Sequence, residues 1–130
     1  MTQFLLDTHA FLWLQTTPER LGAARELVED EQSTLFLSAA SSWEIAIKWE
    51  LGKLPLPEAP TTYVPARMRT SAVDGLAVAH AHSLRVSELP RLHRDPFDRL
   101  LVAQAQLERM TLVTGDEAIR AYDVELIWIG

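Results

Sequence analysis

Four acidic residues stand where they could do chemistry: Asp7 in LLDTHA, Glu44 in SSWEIAIK, Asp98 in HRDPFDRLLVAQA and Asp116 in LVTGDEAI. Carboxylates gathered in one place repel, so one must take up a proton or a cation must neutralise them. Hard oxygen ligands in a chain without cysteine suit Mg²⁺ or Mn²⁺. Such an ion can generate hydroxide and stabilise the charge of a phosphate under attack. Phosphodiester hydrolysis is the reaction this combination points to. Each acid also has an ordinary structural use. Asp7 and Asp116 can cap the helices that follow them, and Asp98 falls three residues after Asp95, itself an N-cap before Pro96. Glu44 can pair with Lys48 at i+4, an exposed pair contributing about 0.3–0.5 kcal/mol. Spacing alone leaves both a metal centre and a set of helix caps open.

The elements that must position these acids alternate in type. Gln3–Leu6 reads as a buried strand, Thr8–Leu14 as a helix capped by Thr8, and Glu19–Glu29 as a second helix after Pro18. Thr34–Leu37 reads as a strand. Ser41 or Ser42 can cap a helix running to Leu51, which puts Glu44 in its first turn, and Gly52 suits the stop. The prolines at 55, 57, 60 and 65 mark a loop entering a short helix over Pro65–Ser71. Gly75–Ala79 is a strand candidate and Ala81–Leu89 a helix. Pro96–Arg109 has the clearest helical pattern, followed by a strand at Thr111–Thr114, a helix at Asp116–Tyr122 and a strand at Val124–Ile129. Strands alternating with helices imply right-handed crossovers and a parallel sheet covered on both faces. Function in such sheets sits at the carboxyl ends of the strands, the edge at which all four acids should then fall.

The 130 residues fit one domain, residues 1–130, with 48% hydrophobic and 23% charged residues. The longest apolar run, Ala10–Leu14, is far too short to span a bilayer, and Asp7 interrupts the apolar start, so neither a membrane span nor a signal peptide is expected. The absence of cysteine excludes disulfides and thiolate sites and fits a cytoplasmic protein. A net charge of −6 argues against sequence-blind binding of nucleic acid through a broad basic face. A local site whose sign is reversed by metal remains compatible with it.

LLDTHAFLW, SSWEIAIKWELGKL, HRDPFDRLLVAQA and LVTGDEAI, in that order, resemble the PIN-domain ribonucleases, and among them the VapC toxins of bacterial toxin–antitoxin pairs. The resemblance runs from Phe4 to Trp128 and is weakest between Pro55 and Leu89. It implies a three-layer α/β/α sandwich around a parallel sheet of about five strands. It further implies Mg²⁺- or Mn²⁺-dependent endonucleolytic cleavage of RNA. The family's four acids correspond to Asp7, Glu44, Asp98 and Asp116, as catalytic residues and metal ligands, with Asp95 left as a cap. Thr8 and Thr114 match the small hydroxyl residues beside the first and last acids. Arg99 matches an arginine that could touch a phosphate or pair with an acid. The implied partner is a small VapB-like antitoxin, with the toxin as a homodimer or in a hetero-oligomer with it.

Other residues invite functional readings. His9 and His93 could be ligands or general bases, although a lone His near a helix start is more often a local contact. Trp13, Trp43 and Trp49, with Phe11, could stack bases, but their helical spacing favours core or a partner-covered surface. Lys48, Lys53, Arg67 and Arg69 could guide a backbone or simply be solvated. Two rival classes frame the expectation. A haloacid-dehalogenase-like phosphatase needs a second aspartate two residues after the first, where this chain has His9. A non-catalytic α/β binding domain would use the acids as caps or around a structural cation.

Overall fold

The computed structural model describes residues 2–130. Five strands, β1 (Thr2–Leu6), β2 (Ser33–Ser38), β3 (Val73–Leu76), β4 (Thr111–Thr114) and β5 (Leu126–Trp128), form one sheet in the order β3-β2-β1-β4-β5. Every pairing is parallel, with Leu6 opposite Leu37 on one side and Val113 on the other. Six α-helices cover it: α1 (Thr8–Thr16), α2 (Ala24–Glu29), α3 (Ala39–Glu50), α4 (Pro60–Thr70), α5 (His80–Arg85) and α6 (Pro96–Glu108). The expected three-layer architecture is the one observed.

Alternation along the central strands makes two cores. Phe4, Leu6, Leu35, Leu37 and Val113 join Phe11 of α1, Ile45 of α3 and Tyr63 of α4 on one face. Leu5 and Leu112 join Leu101 and Val102 of α6 and Ile119 on the other. Strands buried on both faces need apolar residues at successive positions, which is why they read as continuous runs. Among the described residues no helix is long and apolar enough to cross a membrane.

Several boundaries differ from the sequence reading, each for a local reason. The cap of α1 is Asp7, not Thr8, since the Asp7 carboxylate accepts from the Ala10 N–H. Helix α3 starts directly out of β2, with Ser38 rather than Ser41 or Ser42 as its cap, so Glu44 lies in the second turn and not the first. The expected helix over Glu19–Glu29 is broken by Gly22 at φ 58° into a 3₁₀ turn (Pro18–Leu21) and α2. Helix α4 begins five residues early, because Pro60 suits the first helical position and Tyr63 and Val64 are buried against the sheet. Pro65 sits inside α4 on its exposed side, where water can serve the carbonyl it leaves unpaired. The helices expected at Ala81–Leu89 and Asp116–Tyr122 are α5 with a following 3₁₀ turn (Val86–Glu88), and a 3₁₀ helix over Glu117–Ala121 capped by Asp116. The strands expected at Gly75–Ala79 and Val124–Ile129 are shorter or shifted, as β3 and β5.

The central position of β4 gives a stability test. Leu112 is fully buried, so Leu112→Ala should cost about 2–5 kcal/mol, whereas Leu84→Ala, at a residue 69% exposed, should stay within about 0.5 kcal/mol. Urea unfolding of the two variants against the parent checks both values.

Candidate active site

The strand order reverses direction between β1 and β4: from β1 the chain builds outward through β2 and β3, then returns to place β4 on β1's other side. The carboxyl ends of two such strands border a crevice, because their connections leave on opposite faces of the sheet. Asp7 follows β1 directly and Asp116 follows β4 after Gly115. The Asp7 N–H still donates to the Val113 carbonyl at 3.0 Å, which holds the first acid against the end of β4.

Asp7 is buried and both its oxygens are engaged. Oδ1 accepts from the Ala10 N–H at 2.7 Å, and Oδ2 accepts from Thr114 Oγ1 at 2.7 Å. Thr114 Oγ1 accepts in turn from the Asp116 N–H at 3.0 Å, so one threonine links the two strand-end acids. Thr8, released from the capping role, donates to Glu44 Oε1 at 2.6 Å. Lys48 Nζ lies 3.0 Å from Glu44 Oε2. That i,i+4 pair was expected at the surface, but the Glu44 side chain is only 8% exposed and faces the acidic edge through Thr8.

The third acid enters from α6. Asp95 caps this helix, accepting from the N–H groups of Phe97 (2.8 Å) and Asp98 (3.3 Å), as its position before Pro96 suggested. Asp98 is thereby left free to face Asp116. Between them lies His93, whose Nε2 is 2.9 Å from Asp98 Oδ2 and 3.0 Å from Asp116 Oδ2. One ligand atom from each of His93, Asp98 and Asp116 lies within 4.8 Å of the others, a spacing that a single metal ion can bridge. Asp7 and Glu44 are outside this triple, and Asp7 is tied to it through Thr114.

Charge is distributed unevenly across the group. Burial, then the hydrogen bond of Asp116 and the charges of Asp95 and Asp116, push the Asp98 carboxyl up to about 8. Burial also acts on Asp116, but hydrogen bonds from Asp98, the Ala118 N–H and His93 outweigh it and bring that carboxyl below the usual range. The pair therefore holds one proton on the more buried Asp98 and a full charge on Asp116. Burial opposes the His93 cation, yet hydrogen bonds to Asp116 and Asp98 raise its imidazole above the ordinary value. Burial raises Asp7 too, against the pull of Thr114 and the Ala10 N–H. A centre in which protons stand in for missing positive charge fits a divalent cation, and its donors are mainly hard carboxylate oxygens.

His93 is the main residue to which the sequence assigned too little, since a local helix-start contact was the favoured reading. Its only signal was its place in HRDPFD. Tyr122 was missed altogether: its buried hydroxyl accepts from the N–H groups of Leu92 (3.2 Å) and His93 (2.9 Å) and so fixes the loop that presents the imidazole. Arg99 pairs with neither acid; its Nη2 donates to the carbonyls of Val86 (3.1 Å) and Leu89 (3.3 Å). His9 stacks on Trp13, and buried His82 hydrogen bonds to Glu108. Phe11 is core, whereas Trp43 (64% exposed) and Trp49 (41%) lie on the surface of α3, Trp43 meeting Phe97 edge-on next to Asp98.

The PIN domain family matches residues 4–125, and this chain belongs to it. That membership removes the dehalogenase-like alternative. Two relatives come from Mycobacterium tuberculosis (strain ATCC 25618 / H37Rv). Ribonuclease VapC22 is 30% identical over 125 residues, covering 94% of this chain and 93% of its own. Ribonuclease VapC16 is 48% identical over 65 residues, which are 50% of this chain and only 46% of that protein. Among solved structures, VapBC2 from Rickettsia felis, bound to a DNA fragment from its promoter, superposes with a TM-score of 0.74 at 15% identity, covering 97% and 98% of the two chains. At that identity the likeness shows a shared fold.

The raised carboxyl predicts a pH effect on the metal-free protein. Asp98 loses its proton near its ordinary 3.8 when unfolded but near about 8 when folded. Its contribution is therefore complete below about pH 4 and lost as the pH rises towards about 8. Asp7 and His93, both raised, act in the same direction. Denaturant stability should fall across that interval, and Asp98→Asn should flatten the decline. Equal slopes for parent and variant would contradict the assignment of the proton to Asp98.

Proposed function

We propose that this protein is a metal-dependent endoribonuclease, the toxin of a VapBC-like pair, acting in the cytoplasm. The observation that carries the reading is the convergence of His93, Asp98 and Asp116 at the crevice between β1 and β4, with Asp7 tied to Asp116 through Thr114. Two relatives are named as ribonucleases, and one of them aligns over nearly the whole chain.

Asp98 and Asp116 would hold Mg²⁺ or Mn²⁺, with Asp7 reaching it directly or through water and Glu44 completing the acidic edge. The bound ion would supply an activated water and charge stabilisation at the phosphate. The protein's own residues set the conditions. Asp98 must release its proton before the ion can be held. Thr114 keeps Asp7 and Asp116 at a fixed separation. Thr8 and Lys48 engage both oxygens of Glu44 and so orient it. Asp95 keeps to its cap and acts on the site only through its charge beside Asp98.

A VapB-like antitoxin is the proposed partner, in a homodimer of the toxin or a hetero-oligomer, by analogy with the VapBC2 structure from Rickettsia felis. Exposed Trp43 of α3, which meets Phe97 beside Asp98, supplies an apolar contact such a partner needs.

Asp98→Asn should remove cleavage of a mixed RNA pool, by about 10²-fold or more, while leaving the thermal unfolding transition cooperative. Asp95→Asn should retain much of the activity, because Asn caps almost as well as Asp. Excess chelator should stop the parent, and added Mg²⁺ or Mn²⁺ should restore it. RNA binding without scission under all these conditions would favour a non-catalytic module.

A further inference from the structure

Next to the acids lies a cavity of about 440 Å³ lined by Arg91, Leu92, His93, Arg94 and Arg99. Three arginines around one cavity are unexpected on a chain of net charge −6. Other arginines, such as Arg25, Arg85 and Arg120, have a carboxylate beside them. Arg91 and Arg94 are exposed, and among the described residues neither is held by an ion pair or a side-chain hydrogen bond. Arg99 donates to two neutral carbonyls, and its buried Nε has no partner. The positive charge at this cavity is thus left uncompensated by the protein.

The cavity is also held in place. Its wall is the loop between Pro90 and Pro96, both of which restrict the backbone. The Tyr122 hydroxyl accepts from two consecutive N–H groups of that loop, at Leu92 and His93. The loop backbone is thus already positioned, and the ordering cost of binding is confined to the Arg91 and Arg94 side chains. His93 is shared: one side lines the cavity and its Nε2 touches Asp98 and Asp116.

We propose that this cavity is a subsite for an RNA backbone phosphate flanking the one held at the carboxylates. The inference rests on the nuclease reading. A polyanion nearing this acidic protein is repelled everywhere except where cations are concentrated. Guanidinium groups match phosphate oxygens in geometry and charge. RNA fits better than an acidic peptide because the cavity shares His93 with the carboxylates where a phosphate is to be cut. A strand held at the acids has to pass its next phosphate along the wall formed by His93.

The test uses fluorescently labelled single-stranded RNA of mixed sequence and the Arg91→Gln/Arg94→Gln double variant. Both changes are at exposed residues, and circular dichroism will verify the fold. Binding is measured in an Asp98→Asn background to prevent cleavage, with turnover measured separately in the parent background. Affinity should fall roughly tenfold, and the slope of log K against log salt should shrink by about 1.4, about 0.7 for each lost single-strand contact. In turnover the loss should appear in KM rather than kcat. Tyr122→Phe, which frees the loop, should weaken RNA binding in the same direction. Unchanged affinity and salt slope in the double variant, while the parent cuts RNA, would overturn the subsite and leave the nuclease reading standing. No cutting by the parent with either Mg²⁺ or Mn²⁺ would overturn that reading and the subsite with it. Oligoglutamate binding that is lost in the double variant, with RNA affinity unaltered, would assign the cavity to an acidic protein partner and overturn the proposal.

Discussion

At the middle of the sheet two strand ends that each carry a carboxyl are forced side by side, and the surrounding structure is arranged to tolerate that. Coulomb repulsion and desolvation both oppose ionised carboxylates in such a place. The solution is worked out oxygen by oxygen. Asp7 gives one oxygen to the start of α1 and the other to Thr114. Glu44 gives one to Thr8 and one to Lys48. Asp116 gives one to the Ala118 N–H. What remains, Asp98 with the second oxygen of Asp116, shares a proton and the edge of His93.

Capping and chemistry are therefore not competing descriptions of these acids. A carboxylate has two oxygens and several lone pairs, so one side can complete a helix start while the other faces a crevice. The cap fixes the carboxyl group's rotation, which a ligand needs, and the positive end of the helix lowers the cost of its charge. Asp95 and Asp98 divide the same work between two residues. Asp95 spends an oxygen on two N–H groups of α6, and Asp98 presents its carboxyl to the site.

Much of this was legible in the sequence, with specific exceptions. Thr111–Thr114 matches β4 residue for residue, and Pro96–Arg109 overshoots α6 by one, because a buried parallel strand and a capped amphipathic helix leave strong local patterns. Caps were harder. Whether Asp7 or Thr8, and whether Ser38 or Ser41, closes a helix depends on where the preceding strand stops pairing, and no local pattern encodes that. Pro65 inside α4 defeated the usual reading of proline, since burial of Tyr63 and Val64 outweighs one lost hydrogen bond. The four acids were visible in the sequence, Asp7 and Asp116 after strands and Glu44 and Asp98 near helix starts. The role of His93 was not, because its orientation is fixed by Tyr122, 29 residues further along the chain.

The bond between Thr114 and Asp7 closes a loop of 107 residues, and β1 is flanked in the finished sheet by one strand made early and one made late. Contacts of such high sequence separation form slowly, and parallel pairing cannot be anticipated by a local hairpin. During synthesis the amino-terminal part, β1 to β3 with its helices, can collapse on its own apolar face. The acidic crevice cannot exist then, since half of its wall has not yet been made. The crevice is assembled only once residues 111–116 have emerged and docked against β1. The order of elements along the chain thus makes the acidic crevice one of the last features of this sheet to form.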